Sequence, residues 1–70
     1  MMLYKDRTTY YVSMWQDKKQ FKLKLNPELV SEVRASISPK EEGLLDAHMP
    51  VILSTRIADS LLDESGWEQA

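Results

Sequence analysis

Tyr10-Tyr11-Val12-Ser13-Met14-Trp15-Gln16-Asp17-Lys18-Lys19-Gln20-Phe21-Lys22-Leu23-Lys24-Leu25 decides the fold of this chain. From Gln20 to Leu25 the residues alternate strictly: Phe21, Leu23 and Leu25 on one side, Gln20, Lys22 and Lys24 on the other. That is the period-two pattern of a half-buried strand. The preceding run, Tyr4 to Trp15, is rich in Thr, Tyr and Val, which suit a pleated surface, and reads as one strand. An even-length loop centred on Asp17-Lys18 sets Met14 against Phe21, Val12 against Leu23 and Tyr10 against Leu25. All three pairs match apolar with apolar, as a true register requires. With neither Gly nor Asn at the tip, the expected connection is a four-residue loop built on a type I turn.

Working outward, Asn26-Pro27-Glu28 is a helix start: Asn caps, Pro suits the first helical position, and an early acid favours the helix dipole. Leu29, Val30, Val33 and Ile37 then share one face of a helix ending before Pro39. Ser38-Pro39-Lys40-Glu41 forms an S-x-x-E capping box that begins a second short helix through about Ala47. In the last segment Leu53, Ile57 and Leu61 stand four apart, flanked by Ala58 and Leu62, which predicts a third helix opening at Pro50. The competing reading makes Val51 to Leu53 a short buried strand, with Ser54 or Thr55 capping a shorter helix. Gly66 is expected as the left-handed C′ residue of a Schellman ending, with Trp67 folding back on Leu62. The fold class is therefore α+β: an N-terminal antiparallel β-hairpin followed by two or three short helices, β-β-α-α-α, forming one domain over residues 1–70. A two-stranded sheet is marginal alone, so the sheet is expected to extend across a homodimer.

The composition narrows the function classes. With 43% hydrophobic and 29% charged residues, two Gly and three Pro, the chain is globular rather than disordered. There is no Cys, which removes disulfides and thiolate metal sites, and the reinforcement then expected of so short a chain is a second subunit. Charges begin by Lys5 and no stretch reaches the roughly 20 apolar residues of a membrane span, so a cytoplasmic location with no membrane contact is expected. The net charge of −2 hides a division: residues 1–24 carry +4 and residues 25–70 carry −6. Such asymmetry marks a nucleic-acid-facing element, two surfaces that meet across a subunit contact, or two solvated faces of opposite sign.

Residues for chemistry are sparse. The single His48 lies two residues from Asp46, a spacing that does not bring helical side chains together, and it reads as a polar residue near the break before Pro50. Glu41-Glu42 and Asp59, Asp63 and Glu64 lack the Gly-punctuated alternation of a calcium loop and read as solvated helix surface. Gly43 and Gly66 are isolated and form no phosphate-binding loop. No catalytic residue, metal ligand, cofactor or small-molecule ligand is therefore predicted. The outer hairpin face is more informative. It sets Tyr11 opposite Lys24, Ser13 opposite Lys22 and Trp15 opposite Gln20, and Tyr and Trp beside Lys is an arrangement binding surfaces use. Tyr11, Trp15, Lys22 and Lys24 are the candidate partner-binding residues, with the tail Trp67-Glu68-Gln69-Ala70 as a second covering element.

The stretch Lys22-Leu23-Lys24-Leu25-Asn26-Pro27-Glu28-Leu29-Val30 resembles the opening of a ribbon-helix-helix DNA-binding domain. The resemblance implies that Lys22 and Lys24 face the major groove while Leu23 and Leu25 build a dimer core. The chain departs from that pattern in its long Ser38–Met49 spacer, in the lack of a Gly-x-Ser step before the final helix, and in its full N-terminal strand. The first expectation is thus a small non-enzymatic regulator or inhibitor that occludes a site on another protein, as a homodimer. Base rates for short acidic chains suggest a phage or mobile-element accessory protein. The alternative is a dimeric ribbon-helix-helix-like repressor that binds DNA through Lys18, Lys19, Lys22 and Lys24.

Overall fold

The computed structural model describes residues 1–70. The elements run β1 (Met2–Asp6), β2 (Thr9–Gln16), β3 (Lys19–Lys24), α1 (Pro27–Ala35), α2 (Pro39–Asp46), β4 (Val51–Ile52), α3 (Thr55–Leu62) and β5 (Glu68–Gln69). The five strands form one antiparallel sheet in the order β4-β1-β2-β3-β5, and the helices cover one face of it. This is the predicted α+β class, with more strands than the sequence reading supplied.

The β2–β3 register is the predicted one: Val12 pairs with Leu23, Met14 with Phe21, Ser13 with Lys22 and Trp15 with Gln20. Leu25 N–H donates to the Tyr10 carbonyl at 2.9 Å and carries the pairing one step further. The connection differs. Gln16 pairs with Lys19, leaving a two-residue turn in which Asp17 (φ 52) and Lys18 (φ 64) are both left-handed. That is the backbone of a type I′ turn, whose twist matches the flanking strands, reached here without Gly or Asn. Lys in this region costs about 1–2 kcal/mol in clashes at Cβ, a debt the long β2–β3 ladder offsets.

The expected single strand from Tyr4 to Trp15 is in fact two. The chain reverses at Arg7-Thr8, with Arg7 at φ 57, and β1 lies antiparallel to β2 with Asp6 opposite Thr9, Tyr4 opposite Tyr11 and Leu3 opposite Val12. No Gly, Pro, Asn or Asp lies within this two-residue turn, which is why a β-rich run concealed it.

Helix α1 begins as predicted, with the Asn26 side-chain oxygen accepting from Leu29 N–H at 2.9 Å. The capping box of α2 is complete, since Ser38 Oγ accepts from Glu41 N–H at 3.3 Å and the Glu41 carboxylate accepts from Ser38 N–H at 3.2 Å. The third helix is a correction: Val51–Ile52 is a strand on the outer edge of β1, and Ser54 caps a helix that begins at Thr55. Val51, opposite Leu3 and 2% exposed, is worth more in the sheet than on a helix continuing to Pro50.

The Schellman ending is also displaced. Met49 N–H donates to the Leu44 carbonyl at 2.8 Å and His48 N–H to the Leu45 carbonyl at 2.9 Å, with His48 at φ 58. Those are the two bonds of the motif, so it closes α2 at His48 rather than α3 at Gly66. Gly66 is left-handed (φ 99) but lies beyond the Asp63 cap of α3, where it turns the chain back toward the sheet. Trp67 then donates its indole N–H to the Leu61 carbonyl at 3.0 Å and packs against the core. The last residues form β5, with Glu68 opposite Lys22 and Gln69 opposite Phe21.

One row of side chains, Val51–Leu3–Val12–Leu23, crosses four strands on the helix-covered face, each 2% exposed or less. Leu25, Val33 of α1, Leu45 of α2, Leu53 and Leu61 of α3 complete the core. Burying a Leu side chain fully contributes roughly 1.5–3 kcal/mol, so these nine residues hold the two layers together. Leu23 and Leu25 thus serve the chain's own core, and β3 is paired on both edges. The dimer core that the ribbon-helix-helix resemblance implies for Leu23 and Leu25 is replaced by packing within one chain. A single chain also supplies five strands, so a two-stranded sheet no longer argues for a dimer.

Candidate interface on the open sheet face

Antiparallel pairing gives every strand two faces, and here the helices cover only one. The other carries Met2, Tyr4 and Asp6 from β1, Thr9, Tyr11, Ser13 and Trp15 from β2, and Gln20, Lys22 and Lys24 from β3. Ile52 from β4 and Glu68 from β5 extend it at either side. The row Ile52–Met2–Ser13–Lys22–Glu68 spans all five strands.

The four residues singled out by sequence do share this face, and three of them form one group. Lys22 Nζ lies 4.6 Å from the centre of the Tyr11 ring, a cation–π contact, and Lys24 is the cross-strand neighbour of Tyr11. Trp15 stands four residues along β2 from Tyr11, beyond Ser13, with 72% of its surface exposed. A Trp so open is costly to leave in water, whereas a Lys or Gln at that position would not be.

The sequence reading missed Tyr4. Its ring stacks on Tyr11 with centroids 5.6 Å apart and planes inclined by 20°, so that Tyr4, Tyr11 and Lys22 form a continuous layer over three strands. Ile52, 74% exposed, and Met2, 37% exposed, add an apolar border at the β4 side. The signal for Tyr4 was the same alternation that identified Tyr11, but it needed the turn at Arg7-Thr8 to bring the two together. Ile52 needed β4 to be read as a strand.

Lys22 and Lys24 are matched by Asp6 and Glu68, so the face is electrically balanced. The tail Trp67–Ala70, considered as a covering element for a partner, is instead zipped onto β3: Ala70 N–H donates to the Gln20 carbonyl at 2.9 Å. Trp67 is half-buried and packs against the core.

Elsewhere the polar groups serve the fold. Arg34 Nη1 donates to the Tyr10 hydroxyl at 3.0 Å, and its other nitrogen lies 4.0 Å from Asp46, which ties α1 to β2 and α2. Lys5 sits 5.6 Å from the same Tyr10 ring. His48, exposed at the α2 ending, has its Nδ1 3.4 Å from the Lys5 carbonyl. An open cleft of about 440 Å³ between α1 and α3 is lined by a mixture that includes Leu29, Glu32, Arg56, Ile57 and Ser60. No group of three or more His, Cys, Asp or Glu side chains is gathered to hold a metal ion, and no helix is long and apolar enough to cross a membrane. Comparison with protein families, with curated proteins and with solved structures finds no significant match.

Proposed function

We propose that this chain is a small non-enzymatic regulator that acts by binding another protein, with the open sheet face as its working surface. One observation carries the reading: Trp15, 72% exposed, shares with a stacked Tyr4–Tyr11 pair a face whose charges cancel. Protein interfaces are enriched in Tyr and Trp, and charged residues are depleted at their centres and kept to the rim. A rigid sheet presents such anchors without a backbone ordering cost, because their positions are set by strand pairing. The mechanism is occlusion: a flat aromatic surface covers a site on the partner and excludes water from it.

The rival reading, DNA binding through Lys18, Lys19, Lys22 and Lys24, is favoured by the clustering of these residues on one hairpin. The balance of charge on the face weighs against it, since phosphate-tracking surfaces gain their affinity from uncompensated cations. Lys22 is moreover engaged with Tyr11 and faces Glu68 across the strand pair.

The test compares baits. Immobilised wild-type chain, Trp15→Ala and the helix-side variant Arg56→Ala are exposed to extract of the cells that make the protein. The reading expects a protein retained by wild type and Arg56→Ala and lost with Trp15→Ala. Retention by all three, or capture of duplex DNA that Lys24→Glu abolishes and Trp15→Ala leaves intact, overturns it.

A further inference from the structure

We infer that the segment received by the open sheet face is an amphipathic helix of the partner, apolar where it meets Tyr4, Tyr11 and Trp15 and acidic along the flank that lies over β3. This rests on the protein-binding reading above and gives the partner a chemistry.

Size comes first. The strands β1 to β5 are 5, 8, 6, 2 and 2 residues long. At a rise of about 3.4 Å and a spacing of about 4.8 Å the face covers roughly 375 Å², under half of the roughly 800 Å² that each partner gives to a stable interface between domains. β1, β2 and β3 together are about 14 Å wide and β2 is about 27 Å long, which suits one helix about 10–12 Å across and roughly 18 residues in length. An extended segment does not suit the same place. Laid on the face it would bury backbone N–H and C=O groups without partners, and the sheet edges that could pair with it are strands of two residues, one of them preceded by Pro50. A helix satisfies its own backbone. With α1, α2 and α3 on the other side of the sheet, it completes a three-layer arrangement.

Charge then sets the flanks of that helix. The face is neutral in sum, but its charges are unevenly placed. Lys22 and Lys24 stand side by side on β3, Glu68 lies outside them on β5, and Asp6 is at the far end of β1 opposite Thr9. Neither lysine is in an ion pair, the single ion pair of the chain being Arg34–Asp46. Lys24 has Tyr11 as its cross-strand neighbour and Lys22 rests over the same ring, so both lysines border the aromatic stripe. On the opposite side Ile52 and Met2 present exposed apolar surface. A helix running along β2 thus meets aromatic rings beneath it, two unpaired cations on one side and apolar side chains on the other. Its complement is an apolar stripe with Glu or Asp on the β3 side alone.

The probes are two synthetic helices of about 18 residues, identical in a leucine stripe and differing only in Glu or Lys along one flank. Fluorescence anisotropy of the labelled peptides should show micromolar binding of the Glu helix and at least ~10-fold weaker binding of the Lys helix. Reversing both charges, Lys22→Glu with Lys24→Glu, should invert that preference, which partial unfolding cannot imitate. Trp15→Ala should weaken both complexes and Arg56→Ala neither. Equal affinity for the two helices, or a preference that survives the double reversal, overturns the inference. So does tighter binding to a single-stranded oligonucleotide or to phosphatidylserine vesicles than to the Glu helix, since the lysines then serve phosphate. If neither helix binds at millimolar concentration while the immobilised chain still retains a protein through Trp15, the helix falls and the protein-binding reading stands. If that retention is absent as well, both fall.

Discussion

Substituting Gly for Lys18 tests the hairpin tip with a sign rather than a size. Lys18 has φ 64, a left-handed conformation that a side chain disfavours and glycine does not. Relief of the clash is worth about 1–2 kcal/mol, and the added freedom of glycine in the unfolded chain returns about 0.4–1 kcal/mol of it. Lys18→Gly is therefore expected to stabilise the protein by roughly 0.5–1 kcal/mol, raising the melting temperature by about 2–8 °C for a domain of this length. Pairing it with Asp17→Asn completes the Asn-Gly sequence that type I′ turns prefer, and should add a further few tenths of a kcal/mol. The assay is thermal unfolding followed by far-ultraviolet circular dichroism, with urea titration to confirm that the slope is unchanged. A four-residue loop built on a type I turn reverses the expectation: Lys18 would then be right-handed, and Gly would only cost entropy. Destabilisation by Lys18→Gly would refute the two-residue turn and the Gln16–Lys19 pair that depends on it.

The remaining expectations concern other parts of the structure. His48→Gly should stabilise by up to about 1 kcal/mol, because the Schellman ending of α2 places a non-glycine residue at φ 58; a loss of stability by calorimetry would contradict that ending. Leu45→Ala removes a side chain with no exposed surface and should cost about 2–5 kcal/mol in urea unfolding, enough to leave the chain largely unfolded; a cost below 1 kcal/mol, read against the about 0.8 kcal/mol of a single buried methylene, would remove α2 from the core. Trp67→Phe keeps an aromatic ring but loses the indole N–H bond to Leu61, and should cost about 1 kcal/mol while speeding hydrogen exchange at Ala70. Unchanged exchange there would show that β5 is held by something else. Trp15→Ala, in contrast, should leave the stability of the isolated fold within about 0.5 kcal/mol, as surface substitutions do.

The parts of this fold that were legible in sequence are those whose chemistry is local or strictly periodic. The β2–β3 register followed from three matched apolar pairs, and the α1 and α2 starts followed from Asn26 and from the Ser38–Glu41 box. The misread turns share one physical cause. The left-handed turn residues Arg7, Asp17, Lys18 and His48 are all non-glycine, so the usual punctuation was absent at the places where the chain reverses. Tyr4 to Trp15 consequently read as one strand, and the Tyr4–Tyr11 stack disappeared with the turn that creates it. Val51–Leu53 is too short for periodicity to decide, and its strand identity comes from Leu3 and Met2, far away in sequence. The polar pair Glu68–Gln69 carries no strand signal, because Trp67 and Gly66 bring it to β3. The candidate site was legible to the extent that the hairpin was: Tyr11, Trp15, Lys22 and Lys24 lie on one face, while Met2, Tyr4 and Ile52 required strands that the pattern did not reveal.

The open face as a protein-contacting surface is tested most directly by chemical-shift mapping of the isotope-labelled chain, in buffer and in extract of the cells that make it. Shifts or broadening should concentrate on Tyr4, Tyr11, Ser13, Lys22 and the Trp15 indole, with α1, α2 and α3 unmoved. Perturbations confined to the helices, or a spectrum identical in the two solutions at every concentration, would contradict it.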